Sequence, residues 1–445
     1  MRRLFGTDGM RGVALAPPLD RDTVTRLGAA LADHLRAAGR PPRILLAGDT
    51  RASTPTLAKW VGGAFAARGG EVVWAGVLPT PAVSHLLRDL GGFGSGVVVS
   101  ASHNPAEDNG IKLVGPDGVK WPVDDEKALE ARLRALAGKT PTKHLAPVDG
   151  APAERVLSLL LATLPSEALA GLSVVVDAAN GAASSFAEPF FARLGARVKV
   201  LHASPDGRNI NAGCGALHPG ALATEVRRTG ADAGVALDGD ADRAILIAAD
   251  GRVLNGDDVL LVWARALAAA GRLPGRVVVA TVMSNLGLEA ALRDAGITLR
   301  RSPVGDREVW DAMQASGAAL GGEQSGHVIC SHLSASGDGL LTAAHVLAIA
   351  HASRRSLADL ADLQRFPQVL LNVRVATRRP LAEMAATSSG IRAAETALDG
   401  RGRVFVRYSG TEPLLRIMVE AESENEARDT AERLASLARA ELGAP

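Results

Sequence analysis

The run Asp238-Gly239-Asp240-Ala241-Asp242-Arg243 sets three carboxylates on alternate residues directly after an apolar segment, Gly234-Val235-Ala236-Leu237. Close carboxylates repel one another by about 1 kcal/mol per pair in water, and by more where solvent is excluded. A hard divalent cation such as Mg2+ relieves that cost, takes oxygen ligands and keeps positions for water or phosphate oxygens. A solvated acidic turn is the plainer alternative, but the apolar strand before the run and Arg243 after it favour the cation. An EF-hand loop does not fit: its sixth and twelfth positions require Gly and Glu, and here they hold Arg243 and Ala249.

A second chemical feature is Ser100-Ala101-Ser102-His103-Asn104-Pro105, which follows Val97-Val98-Val99. Asn and Pro favour a turn there, and a serine beyond a strand's C-terminal end lies where open α/β sheets bind ligands. Lys112 can supply a cation or a proton. Strand-end serines are common, so this loop gains meaning only beside the acidic one.

Gly321-Gly322-Glu323-Gln324-Ser325-Gly326-His327 offers a carboxylate, an amide, a hydroxyl and an imidazole, a set suited to sugar hydroxyls and an amino group. Arg407-Tyr408-Ser409-Gly410-Thr411-Glu412-Pro413 follows the strand-like Val404-Phe405-Val406 and has the make-up of a phosphate cradle. Arg11 and Arg51 each sit in a short polar loop, Phe5 to Gly12 and Asp49-Thr50-Arg51. Taken singly, each is an ordinary turn, because Ser, Gly and Pro are what turns require.

These loops need elements to hold them. A short apolar or β-branched run, a polar loop and an Ala/Leu-rich helical stretch recur at 44–50, 96–104, 173–181, 233–243 and 277–285. Alternation of this kind predicts α/β layers with largely parallel sheets and ligand loops at the strands' C-terminal ends. Helical periodicity lapses at 138–152, near 249–251 and at 364–367, which mark boundaries. Ser423 and Glu426 form a capping-box pattern ahead of a last amphipathic helix, which is expected to pack a small α+β domain.

The 445 residues suffice for about three domains at roughly 150 residues each. With 49 basic against 48 acidic residues there is no overall field to attract nucleic acid or a membrane surface. Apolar stretches such as 156–164 are too short to span a bilayer, and Met1 to Asp8 lacks the apolar core of a secretory signal. The two cysteines, Cys214 and Cys330, argue against a disulfide framework, fit a reducing cytoplasm and belong by spacing to no metal-type cluster.

In order along the chain, Gly6-Thr7-Asp8-Gly9-Met10-Arg11-Gly12, Ser100 to Pro105, Asp108-Asn109-Gly110-Ile111-Lys112, Asp238 to Arg243, Gly322 to His327 and Arg407 to Pro413 resemble the motifs of the α-D-phosphohexomutase superfamily. The resemblance covers the whole chain. Gln324, the stretch Asn209 to Gly215 and the stretch Val282 to Leu288 favour a branch that acts on glucosamine phosphates. Three departures stand out: no Gly and Lys before Asp49-Thr50-Arg51, Ala241 for a usual Gly, and Tyr408 where Pro or Lys is common. Ala216-Leu217 beside His218 also departs from the glucosamine pattern.

The resemblance implies three similar mixed α/β domains plus a smaller, mobile C-terminal α+β domain around a central cleft, divided as 1–150, 151–250, 251–365 and 366–445. It implies a cytoplasmic isomerase that interconverts glucosamine 6-phosphate and glucosamine 1-phosphate through a phosphoserine and a bisphosphorylated sugar. Ser102 would carry the phosphoryl group, and one Mg2+ would be held by Asp238, Asp240, Asp242 and an oxygen at Ser102. Arg11, Lys112, His103, Arg243 and His327 would stabilise charge or move protons. Glu323 and Ser325 would hold the sugar, with Val304, Gly305, Asp306 and Arg307 orienting it. Arg407, Ser409, Gly410 and Thr411 would grip the non-reacting phosphate. A sugar 1,6-bisphosphate would act as activator, the substrate would be a small phosphosugar with neither nucleic acid nor membrane as partner, and a homodimer is suggested. The alternatives are a glucose or mannose mutase of the same fold and a non-catalytic phosphosugar-binding protein.

Overall fold

The structure, a computed structural model, describes residues 3–6, 8–136, 138, 140–145, 151–408 and 414–443. The chain forms two compact units, Met1–Met283 with Ile297–Asp362, and Ser284–Gly296 with Leu363–Pro445.

The first unit holds three sheets built to one plan. In the first, β1 (Met10–Val13), β2 (Arg43–Gly48), β3 (Glu71–Val77), β4 (Ser95–Val99) and β5 (Asp108–Val114) lie in the order β1-β5-β4-β2-β3. Strands β2, β3 and β4 run parallel, whereas β5 returns antiparallel beside β4, with Val99 opposite Ile111. The second sheet, of β6 (Ser173–Asp177), β7 (Arg197–Leu201), β8 (Ala233–Leu237), β9 (Ala244–Ala248) and β10 (Val253–Leu254), repeats this with β9 antiparallel to β8. The third, of β11 (Val277–Thr281), β12 (Thr298–Ser302), β13 (Leu320–Gly322) and β14 (Val328–Cys330), repeats it again with β14 antiparallel to β13.

The inner strands read as unbroken apolar runs because helices cover both faces, and every residue of β4, β8 and β9 is buried. The consequence for function is positional. The connection from the third parallel strand to its antiparallel partner carries Ser102 in the first sheet, Asp238 to Arg243 in the second and Glu323 to His327 in the third.

The second unit is smaller. Strands β15 (Gln368–Arg374), β16 (Arg403–Tyr408) and β17 (Leu414–Glu420) form an antiparallel sheet in the order β15-β17-β16. The helices Ala385–Leu398 and Glu424–Leu442 contribute Ala394, Leu398, Ala431 and Leu434 to its core. The Ser423 hydroxyl accepts the Glu426 N–H at 3.2 Å, as the capping pattern predicts. Asn285 ties the segment 284–296 to this unit: its side chain donates to the Phe366 carbonyl at 2.9 Å and to buried Glu420 at 3.1 Å.

Candidate active site

Ser102 sits in the left-handed region at φ 52, a conformation that costs a non-glycine residue about 1 kcal/mol and is sustained only when its surroundings hold it. Several groups do so. The Ser102 N–H donates to Ser100 Oγ at 2.9 Å. Arg51, wholly buried against Asp49, donates to the carbonyls of Ser102 at 3.2 Å and Asn104 at 2.5 Å. Asn211 Nδ2 reaches the same two carbonyls at 3.0 Å each. Arg51 and Asn211 therefore act as braces for the serine turn. Gly239 is required opposite it, because a Cβ there would lie 2.6 Å from the Ser102 carbonyl oxygen.

The Ser102 hydroxyl donates to Asp238 Oδ2 at 2.6 Å and lies 3.3 Å from His103 Nδ1. Asp238 Oδ1 accepts the Arg243 N–H at 3.2 Å. One carboxylate oxygen each from Asp238, Asp240 and Asp242 lies within 4.8 Å of the others, and all three residues are buried. Burial, with Asp242 and Asp240 adding to it, pushes the Asp238 carboxyl well above the usual carboxylate range. Burial pushes Asp242 the same way, but Lys112, then His327 and Arg243, outweigh it and hold that carboxyl low.

Asp240 Oδ1 and Asp242 Oδ1 are buried and make no hydrogen bond. Orphaned anionic oxygens beside a third carboxylate and a serine hydroxyl fit a hard divalent cation, the donor set that Mg2+ takes. Ala241 adopts φ 56 between Asp240 and Asp242, a conformation that glycine takes most readily.

Lys112 Nζ lies 2.8 Å from Asp240, 3.1 Å from Asp8 and 3.7 Å from Asp242. Burial disfavours its charge, yet these carboxylates prevail and keep it a cation far above the usual lysine range. Arg11 pairs with Asp8 and reaches the Ala101 carbonyl at 3.3 Å, at the base of the serine turn. Burial, with Arg243 and Arg11, pushes the His103 imidazole down to about 4, so it is neutral near pH 7. His327 accepts from the Gly337 N–H on Nε2 at 3.3 Å and turns Nδ1 toward Asp242 at 3.6 Å.

On the third loop, Glu323 accepts from the Gly305 N–H at 3.0 Å and from the Ser325 hydroxyl at 3.1 Å. Asp306 pairs with Lys120 at 2.9 Å, and Arg307 pairs with buried Glu126 at 2.6 Å. Val304 is exposed beside them. A cavity of about 410 Å³, lined among others by Lys120, Trp121, Asp306, Arg307, Trp310 and His327, opens next to this group; Ser102 is not in its wall. The Gln324 side-chain amide donates to Asp257 at 3.4 Å and its backbone carbonyl accepts the Gly256 N–H at 3.0 Å, so it serves the start of the helix Gly256–Ala269.

In the second unit, Arg407 lies on β16 opposite Arg416 of β17. Ser409, Gly410 and Thr411 lie outside the described residues. Within the first unit the fold brings Ser102, His103, Lys112, Arg11, the three aspartates, Arg243 and His327 together. It also adds groups that sequence reasoning did not single out: Asp8 between Lys112 and Lys120, Lys120 itself, and Thr80, whose Oγ1 donates to Asp240 Oδ2 at 2.5 Å. Asp8 belongs to the motif Gly6 to Gly12, whereas Thr80 and Lys120 carry no local signal in the sequence.

A sheet plan repeated three times, with a serine, an acidic and a sugar-type loop at equivalent places, is that of phosphohexose mutases. Domain profiles of the phosphoglucomutase/phosphomannomutase family match at residues 2–138 (alpha/beta/alpha domain I), 155–251 (domain II), 255–366 (domain III) and 370–437 (C-terminal domain), and the chain belongs to that family. Within it, the chain is similar to phosphoglucosamine mutases. It is 47% identical over 442 residues to that of Solibacter usitatus and 45% identical over 444 residues to that of Thermus thermophilus, covering 99% of both chains in each case. Among solved structures, a phosphoglucomutase/phosphomannomutase family protein from Burkholderia thailandensis matches with a TM-score of 0.82 at 25% identity, over 99% of this chain and 98% of that one. Aspergillus fumigatus N-acetylphosphoglucosamine mutase, solved in complex with GlcNAc-6P and magnesium, shares the fold with a TM-score of 0.65 at 19% identity, over 99% of this chain and 96% of that one.

Proposed function

We propose that the protein interconverts glucosamine 6-phosphate and glucosamine 1-phosphate through a phosphoryl group carried on Ser102. The observation that carries this reading is the Ser102 hydroxyl held 2.6 Å from Asp238, within a buried loop of three carboxylates in which Asp240 Oδ1 and Asp242 Oδ1 make no hydrogen bond. Whole-length similarity to phosphoglucosamine mutases supports the choice of sugar. A module that only binds phosphosugars has no need of a nucleophile so placed.

A free sugar hydroxyl attacks the phosphorus on Ser102 Oγ. The new O–P bond forms as the Ser102 O–P bond breaks, the hydroxyl proton passes to a nearby base, and Ser102 Oγ is left to take up a proton. The resulting bisphosphate turns around and returns its other phosphoryl group to Ser102. Asp238, Asp240, Asp242 and an oxygen at Ser102 would hold Mg2+, which would supply fixed positive charge against a phosphoserine of about −1.5 to −2. Lys112, Arg11 and Arg243 add immobile cations around the transferring group, and such positioning and electrostatics supply most of the catalysis in phosphoryl transfer. His103 and His327 are the imidazoles within reach for proton movement.

Glu323 and Ser325 hold the sugar in this reading, oriented with the help of Val304, Gly305, Asp306 and Arg307. Arg407, Ser409, Gly410 and Thr411 take the phosphate that is not reacting. The division into domains at about residues 150, 250 and 365 belongs to the same proposal, as do a sugar 1,6-bisphosphate activator and a homodimer. Both cysteines are unpaired, and the cytoplasm is the compartment expected. No described helix is long and apolar enough to cross a membrane.

Turnover of glucosamine, glucose and mannose 6-phosphates at equal concentration, with Mg2+ and a trace of hexose 1,6-bisphosphate, tests the substrate. A large preference for the amino sugar is expected. Preference for a neutral sugar would move the assignment to a sister mutase, and no turnover of any would leave only a binding protein.

A further inference from the structure

Away from the loops of the active site, the second sheet gathers a carboxylate, an imidazole and a thiol. Asp177 ends β6, His202 follows β7, and Cys214 closes the loop that leads into the turn Gly215–Leu217. One ligand atom from each lies within 4.8 Å of the other two. Spacing in the sequence places neither cysteine in a metal-type cluster. The structure corrects this for Cys214, because the parallel pairing of Asp177 with Leu201 sets the ends of β6 and β7 side by side and the following loop folds back over them.

A simple Asp–His hydrogen bond does not account for the cluster. His202 Nδ1 is buried and lies 3.0 Å from Asp177 Oδ2, yet it makes no hydrogen bond. The backbone already serves both Asp177 oxygens: Ala179 N–H donates to Oδ1 at 2.9 Å and Gly215 N–H to Oδ2 at 2.9 Å. Cys214 is buried and forms no disulfide.

We propose that Asp177, His202 and Cys214 bind a divalent cation of the zinc class, at a site separate from the three aspartates. A mixed oxygen, nitrogen and sulfur set suits zinc and excludes Mg2+, which takes oxygen ligands. Binding displaces the thiol proton to solvent. Three protein ligands leave room for a water, and the 36% exposure of the His202 side chain provides the approach.

The place of the site in the fold gives such a cation a bracing role. The loop that ends in Cys214 also carries Asn211, which holds the carbonyls of Ser102 and Asn104. Gly215, next to Cys214, packs so closely that a Cβ would come 2.5 Å from the carbonyl oxygen of Leu237, the residue before Asp238. A cation joining β6, β7 and this loop stiffens the support of both the serine turn and the acidic loop.

Cobalt and zinc supply the test on the intact chain. Metal-free protein titrated with Co2+ is expected to develop thiolate-to-cobalt charge-transfer absorption. Zn2+ retained after gel filtration should be about one equivalent for the intact protein and for Asp240→Asn, and His202→Gln and Cys214→Ser should bind it tenfold or more weakly. Absence of the charge-transfer band from the intact protein overturns the proposal, and this reading needs no variant to fold. Zn2+ content unchanged in His202→Gln and Cys214→Ser overturns it as well.

Discussion

Asp240 illustrates how single residues divide the work of the site. One of its oxygens is held by Thr80 Oγ1 at 2.5 Å and Lys112 Nζ at 2.8 Å, and the other is buried without a hydrogen bond, as the proposed cation site requires. Thr80→Val removes a buried hydrogen bond to a charged group, so the variant is expected to lose about 1.5–3 kcal/mol of stability in denaturant unfolding. It should also require several-fold more Mg2+ for half-maximal turnover. An unchanged unfolding midpoint and Mg2+ requirement would show that Thr80 does not fix the carboxylate. At this scale the sequence discloses chemistry better than partnership. Ser102 and the three aspartates stand out by type and spacing, whereas Thr80 lies 160 positions from Asp240 and has no pattern of its own. Gln324 marks the glucosamine branch in the sequence, and in the fold its side-chain amide turns to Asp257.

The elements act by placing equivalent hairpin connections where chemistry is needed, and close backbone packing fixes them there. The helix Gly256–Ala269 begins under the third loop, with the Gly256 N–H donating to the Gln324 carbonyl and Asn255 forming a capping box with Asp258. A Cβ on Gly256 would overlap the Glu323 carbonyl oxygen. Gly256→Ala is therefore expected to displace the loop bearing Glu323 and Ser325, raise KM for the sugar phosphate, and cost about 1–3 kcal/mol of stability by overpacking. Steady-state kinetics with thermal unfolding checks this, and normal values of both would mean the loop yields freely. The strand–loop–helix alternation and the last helix cap are legible locally. The antiparallel return of β5, β9 and β14 is not, because a buried apolar strand looks the same in either direction. The grouping of 284–296 with the C-terminal sheet is equally hidden, since it depends on Asn285 meeting Glu420 across 135 positions.

Across the whole molecule, pH acts on stability through buried imidazoles. His345, stacked on Trp263 at 5.4 Å and 3.1 Å from the Thr163 hydroxyl, is pushed down to about 4 by burial and then by Arg272. A histidine held below its unfolded value of about 6.5 contributes stability that is complete above that pH and is lost as pH falls toward 4, at up to about 1.4 kcal/mol per pH unit. His345→Gln, which cannot titrate, is expected to flatten the stability curve between those values, and an unaltered slope would remove His345 from the account. Balanced charge and apolar runs too short to span a bilayer are visible in composition. The convergence of Asp8, Lys112, Lys120 and Asp306 depends on the packing of separate domains. The central claim is that Ser102 lends its phosphoryl group to a sugar, and the most direct measurement follows that group. Protein charged with glucose 1,6-bisphosphate is mapped by peptide mass spectrometry before and after a single-turnover chase with glucosamine 6-phosphate. The expected result is phosphate on Ser102 that leaves as glucosamine 1,6-bisphosphate forms, with neither event in Ser102→Ala. Phosphate on another residue, or phosphoserine that survives the chase, would contradict it.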